Sequence, residues 1–233
     1  MVICAAAFAV LMCIALPVYG KLGRKLGYPA HIYLKMTCSS IFLIAGGTAV
    51  IWLFCADRAS RSLLPAGLIL GGLFFGWLGD LMLDISALKG DRYFILGIFC
   101  FALNHIAFLA ALLLHTPFSP MDLAVFALVT VIGGFVGIYG LKLKIPKKFL
   151  IPGLFYYAVI TLMLTEAFSF LWSGASDLFG WVFAAGALMF FTSDVVLVTN
   201  KFSGTYRKTL DTVNGICYFF GQLFCACSVF ALI

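Results

Sequence analysis

A chain of 233 residues that is 64% hydrophobic and only 10% charged, with mean hydropathy +1.14, lacks the polar surface that a water-soluble domain requires. The composition points to an integral membrane protein that crosses the bilayer several times. The formal net charge of +6 follows from where its basic residues fall between the spans and does not imply nucleic-acid binding.

Eight apolar segments approach the roughly 20 residues that cross a ~30 Å hydrocarbon core. In chain order they run from Val2 to Tyr19, Tyr33 to Phe54, Leu64 to Ser86, Tyr93 to Leu114, Met121 to Leu141, Phe149 to Trp172, Leu178 to Thr199 and Thr212 to Ile233. The first lacks the basic leader of a signal peptide, so it is predicted as a membrane helix. The connections GKLGRKLG, DRASRS, LKGDR, TPFSP, KLKIPKK, SGASD and NKFSGTYRKTLD are short and leave no room for a soluble domain. An all-α antiparallel bundle is therefore expected, as a single domain over residues 1–233. The glycines of GGFVGIYG, Gly133 to Gly140, would allow close helix contact.

Thirteen of the 15 lysine and arginine residues fall in or beside the first, third, fifth and seventh connections, Lys35 being counted with the first; only Arg58 and Arg61 lie on the other side. By the positive-inside rule both termini are expected outside the cytoplasm. The membrane is expected to be the plasma membrane in a bacterium or the endoplasmic reticulum in a eukaryote. The eight cysteines, without C-x-x-C spacing, read as buried free thiols. Trp52, Trp172 and Trp181 fall at outer helix ends, where an aromatic belt forms.

Ionisable groups at bilayer depth are expensive and usually face a cavity or partner. Those predicted within the spans are Asp80 and Asp84 in the third, His105 in the fourth, Glu166 in the sixth and Asp194 in the seventh, with no lysine or arginine at mid-span. At 1.5 Å per residue, Asp80 and Asp194 fall level, about 9 Å above the cytoplasmic helix ends. Asp84, close to the interface and to Lys89, reads as a solvated or helix-packing residue, and Glu166 lies apart in the outer half. His105 has a second reading as a core histidine bonded to backbone. Asn214, Tyr218 and Gln222 recur every four residues and line one face of the last helix, where they serve a polar pocket or tie helices together. The segments GGLFFGWLGDLML and AGALMFFTSDVVL align at an offset of 114, matching Asp80 to Asp194, as two parallel four-helix halves would.

Gly79 and Asp80, followed by Phe94, Gly97, Phe101 and His105 in YFILGIFCFALNH, resemble a motif of the lysoplasmalogenase, or YhhN-like, family. The block FFTSDVVLVTNKF with Tyr218 and GQL resembles the same family's closing helices. The resemblance implies a hydrolase of the vinyl ether bond of lysoplasmalogens, acting on a lysophospholipid within membrane lipid and releasing fatty aldehyde and glycerophosphoethanolamine or glycerophosphocholine. Such a reaction needs a proton donor and a group that stabilises an oxocarbenium ion. Glycosidases meet that demand with two carboxyl groups, and Asp80 and Asp194 are the candidates here. His105, Asn104, Asp84, Tyr218, Gln222, Asn214, Asn200 and Lys201 are expected to support them or bind substrate, with Lys201 at the rim beside the phosphate.

No cofactor is expected. Zinc hydrolysis finds thin support, because His31 and His115 fall in connections on opposite sides and no H-E-x-x-H occurs. A serine hydrolase would need a G-x-S-x-G elbow, which is also missing. From another class, a proton-coupled transporter or lipid-handling protein would use Asp80, His105 and Asp194 as a relay. Polar groups gathered toward one face of the membrane disfavour that through-pathway. Neither oligomeric state nor head-group preference is legible.

Overall fold

The structure, a computed structural model, describes residues 1–56, 59–172 and 177–232. Arg58, Ile233 and most of the SGASD connection lie outside the described residues, as do the side chains of Arg24 and Arg61.

Among the described residues there are eight helices long and apolar enough to span a membrane, and no strands. They are α1 (Val2–Val18), α2 (Ala30–Cys55), α3 (Ala59–Lys89), α4 (Asp91–Leu113), α5 (Pro120–Phe135), α6 (Lys147–Trp172), α7 (Leu178–Phe202) and α8 (Lys208–Ser228). Two of them, α1 and α5, continue into π-helical turns, Tyr19–Gly23 and Val136–Gly140. Several boundaries have a local cause. Gly90, at φ 93°, breaks α3 from α4 in a single residue, a backbone conformation that favours glycine. Ser119 and Asp122 form a capping box at the start of α5, with Pro120 in its first turn. Asp177 accepts from the Gly180 backbone N–H at 2.9 Å and starts α7.

Helices α2, α3, α4, α6, α7 and α8 form a closed circuit of neighbours, with α3 also touching α8 across it. Outside this circuit, α1 packs on α2 and α8, and α5 packs on α6. The two outer helices each bury a single side chain, Met12 and Asp122. Each main adjacency recurs four helices later: α1 on α2 as α5 on α6, α2 on α3 as α6 on α7, α3 on α4 as α7 on α8, and α4 on α6 as α8 on α2. That is the pattern of a parallel repeat, and it agrees with the 114-residue offset between Asp80 and Asp194.

Small residues set the closest approach at α7 and α8. A Cβ on Gly186 would lie 2.8 Å from the Gly221 carbonyl oxygen, and one on Gly221 would lie 2.9 Å from the Phe190 nitrogen. The glycine run of α5 has a smaller effect: Gly133 faces Tyr157 of α6, while Gly134 faces open space. The free thiols are also less buried than the sequence suggested. Cys38 and Cys225 are buried, but Cys13 and Cys55 are exposed, because these spans turn those positions away from the bundle. Trp172 and Trp181 are exposed at the predicted ends, whereas Trp52 packs on Phe230.

Candidate active site

The polar interior is built from side chains on α2, α3, α4, α6, α7 and α8, whose apolar neighbours hold them out of lipid. Asp80 is 2% exposed. Its Oδ2 accepts from the hydroxyls of Ser39 on α2 and Tyr218 on α8, both at 2.6 Å. Its Oδ1 lies 3.3 Å from Lys35 Nζ.

Lys35 overturns the expectation that no cation reaches the buried carboxyl groups. It begins the second turn of α2, and its side chain runs inward along α3, where Nζ also donates to Asp84 Oδ1 at 3.0 Å. Of the two readings of Asp84, solvated beside Lys89 or packed between helices, the structure supports the second. Asp84 is 6% exposed, and its Oδ2 lies 3.2 Å from His31 Nδ1. His31 is not a connection residue: it stands in the first turn of α2, and its Nε2 faces the Tyr19 hydroxyl at 3.2 Å. With Nδ1–H directed at the carboxylate, Nε2 is free to accept from Tyr19. Tyr19, His31, Asp84, Lys35 and Asp80 thus form one chain of polar contacts leading from the basic end of the bundle to the buried carboxylate.

Asp194 belongs to a second cluster. It is half-buried, and its Oδ2 accepts from the Tyr156 hydroxyl of α6. Tyr156 in turn lies 3.0 Å from Nε2 of the fully buried His105. Because the single Tyr156 proton goes to Asp194, His105 Nε2 carries the hydrogen that Tyr156 accepts, which leaves His105 Nδ1 as a bare acceptor. Nδ1 has no hydrogen-bond partner among the described residues. Among the described residues no salt bridge reaches Asp194. The two clusters meet at Phe190, whose ring is 5.2 Å from Tyr218 and 4.5 Å from His105. No hydrogen bond joins Asp80 directly to Asp194 among the described residues.

The stripe on α8 divides between the clusters and packing. Gln222 Nε2 donates to Asn104 Oδ1 at 3.3 Å, and both residues are fully buried. Asn214 donates to the carbonyl and hydroxyl oxygens of Ser193 and ties α8 to α7 next to Asp194. Asn200 accepts from the Arg207 backbone N–H at 2.7 Å and shapes the turn between the same helices. Lys201 Nζ lies 4.3 Å over the Phe94 ring at the basic rim. Glu166 is only 1% exposed and apart from both clusters, and among the described residues neither of its carboxyl oxygens is hydrogen-bonded. Among the described residues no three histidine, cysteine, aspartate or glutamate side chains are grouped so as to hold a metal ion.

Sequence reading missed Lys35, His31, Tyr19, Ser39 and Tyr156. Lys35 had a usable signal in its position inside an apolar span, but its closeness to a basic connection masked it. Tyr156 had none, because a tyrosine among phenylalanines reads as packing.

No curated protein and no solved structure matches the chain. The YhhN family model matches residues 41–229, a stretch that includes both aspartates, Tyr156, His105, Tyr218 and Gln222 but leaves out His31 and Lys35. With that match covering most of its length, and with eight membrane-spanning helices around two buried polar clusters, the chain belongs to the YhhN family, the family of lysoplasmalogenases.

Proposed function

We propose that this protein is a membrane-embedded hydrolase that cleaves the vinyl ether bond of lysoplasmalogens. The observation that carries the reading is the unequal setting of two carboxyl groups. Asp80 is fully buried against Lys35, and Asp194 is half-buried with a tyrosine and a histidine and, among the described residues, no cation. Family membership supports it.

Asp80, held by Lys35, Ser39 and Tyr218, is suited to remain an anion. Asp194, without a cation and partly accessible, is suited to carry a proton to substrate. In the first step Asp194 gives that proton to the β-carbon of the vinyl ether, and the remaining cation is an oxocarbenium ion stabilised by the Asp80 carboxylate. Water adds to this ion and leaves its proton on Asp80, forming a hemiacetal. Collapse returns the hemiacetal hydroxyl proton to Asp194, while Asp80 protonates the departing glycerol oxygen. One water is consumed, one fatty aldehyde and one glycerophospho-alcohol leave, and both carboxyl groups return to their starting states. The substrate's single chain stays in lipid, and its phosphate faces the basic rim with Lys201 on the cytoplasmic side.

Purified protein in detergent should release fatty aldehyde from lysoplasmalogen. Asp194→Asn keeps the shape and hydrogen-bonding capacity but removes the acidic proton, so turnover should fall about 10²- to 10⁴-fold, the usual worth of a positioned acid. Flux of substrate seen only in sealed vesicles, without aldehyde release, points instead to a transporter.

A further inference from the structure

One helical turn beyond Asp80 and Tyr218, in the same direction, stand Gly76 on α3 and Gln222 on α8. The Gln222 amide joins Asn104 through a single hydrogen bond, Nε2 to Oδ1 at 3.3 Å. Gln222 and Tyr218 are four residues apart on the same face of α8, so the amide pair stands directly beside the Asp80 cluster. A side chain at Gly76 would collide here, since its Cβ would lie 2.5 Å from Gln222 Nε2. The missing side chain at Gly76 therefore leaves the Gln222 amide the space in which it meets Asn104.

Both side chains are fully buried, yet each has one end unpaired. Among the described residues, Asn104 Nδ2 and Gln222 Oε1 have no hydrogen-bond partner. Exchanging nitrogen and oxygen in both amides leaves the same balance of one donor and one acceptor. Buried polar groups are almost always paired, and a specific unpaired one calls for a ligand or an ordered water. The group that fits one donor and one acceptor at once is a hydroxyl, whose oxygen accepts while its hydrogen donates.

We propose that Asn104 and Gln222 form a hydroxyl-binding subsite of the active centre, in which an oxygen accepts from Asn104 Nδ2 and its hydrogen donates to Gln222 Oε1. This assignment rests on the reading of the protein as a lysoplasmalogen hydrolase. Two sources supply the same chemistry. One is the free glycerol hydroxyl next to the ether of a lysolipid, which an acylated lipid lacks. The other is the water that adds to the oxocarbenium ion. Either way, the amides beside Tyr218 fix an oxygen near the reacting bond.

The test compares a 1-alkenyl lysophosphocholine with its analogue bearing hydrogen in place of the glycerol hydroxyl, on wild type and on Gln222→Met with matched melting behaviour. A site built around a hydroxyl can reject an analogue lacking it by up to roughly 10⁴-fold. Wild-type preference of about 10-fold or more for the hydroxylated substrate, lost in Gln222→Met, establishes the glycerol hydroxyl as the bound group. Equal handling of the two lipids by wild type, with kcat lowered about 10-fold or more at unchanged KM in Gln222→Met and partly recovered in Gln222→Glu, establishes water. Asn104→Ala, which removes the donor with a smaller side chain, carries the comparison if Gln222→Met does not fold. Variants that keep both the wild-type kcat and its substrate preference overturn the subsite while leaving the proposed reaction standing. A wild-type protein that releases no aldehyde overturns the reaction and the subsite with it.

Discussion

Replacing Lys35 with methionine removes the charge and the hydrogen bond that Nζ donates to Asp84, while a slightly shorter unbranched side chain keeps most of the packing. In the native protein the ammonium lies 3.0 Å from Asp84 Oδ1 and 3.3 Å from Asp80 Oδ1, and the three side chains are 12%, 8% and 2% exposed. At an effective dielectric of about 20, each such contact corresponds to a Coulomb attraction of about 5 kcal/mol before the cost of desolvation is counted. Desolvation offsets much of that in the intact cluster, so the cluster's net worth is modest. Its truncation is another matter, because two carboxyl groups then remain buried without a cation. Removing one partner of a buried pair costs about 3–5 kcal/mol. Lys35→Met should therefore lose about that much stability, measured as the unfolding free energy in detergent by denaturant titration. The same substitution made in an Asp80→Asn, Asp84→Asn background should cost far less, because no buried anions remain to be compensated. A loss below about 1 kcal/mol in the otherwise wild-type protein, or an equal loss in both backgrounds, refutes the ion cluster.

Tyr156→Phe deletes the hydroxyl between His105 and Asp194, which stabilises the Asp194 carboxylate formed as its proton passes to substrate; a hydrogen bond to a charged group is worth about 1.5–3 kcal/mol, so kcat should fall roughly 10- to 150-fold with little change in KM, and an unchanged kcat removes Tyr156 from the mechanism. Prolonged treatment with a strong chelator should leave aldehyde release intact, as carboxyl acid–base chemistry requires; loss of activity that zinc restores would favour a metal mechanism. A reporter fused after Ile233 should read extracytoplasmic and one within KLKIPKK cytoplasmic, in keeping with the lysine and arginine distribution. A cytoplasmic C-terminus contradicts the proposed orientation.

Much of the architecture was legible in the order of residues alone. Eight apolar stretches separated by short polar breaks define eight spanning helices, because a bilayer admits no other way to satisfy the backbone over that length. The repeat was visible as a single match of two GD and SD helices, and the helix adjacencies carry it through all eight spans. Asp80, Asp194 and His105 stood out because a polar side chain is conspicuous in an apolar run.

Tertiary structure decided which of these groups act on one another. Lys35 and Asp80 are 45 residues apart in the chain, and only the packing of α2 on α3 turns a rim lysine into the counter-ion of two buried carboxylates. The same packing converts His31 from a connection residue into a partner of Asp84. Tyr156 is brought to Asp194 by α6 packing on α7, and to His105 by α4 packing on α6. Hydropathy along a sequence records how well each residue tolerates lipid. It holds no record of which helix faces which, so it locates buried charge but leaves its compensation to the contacts between helices distant in the chain.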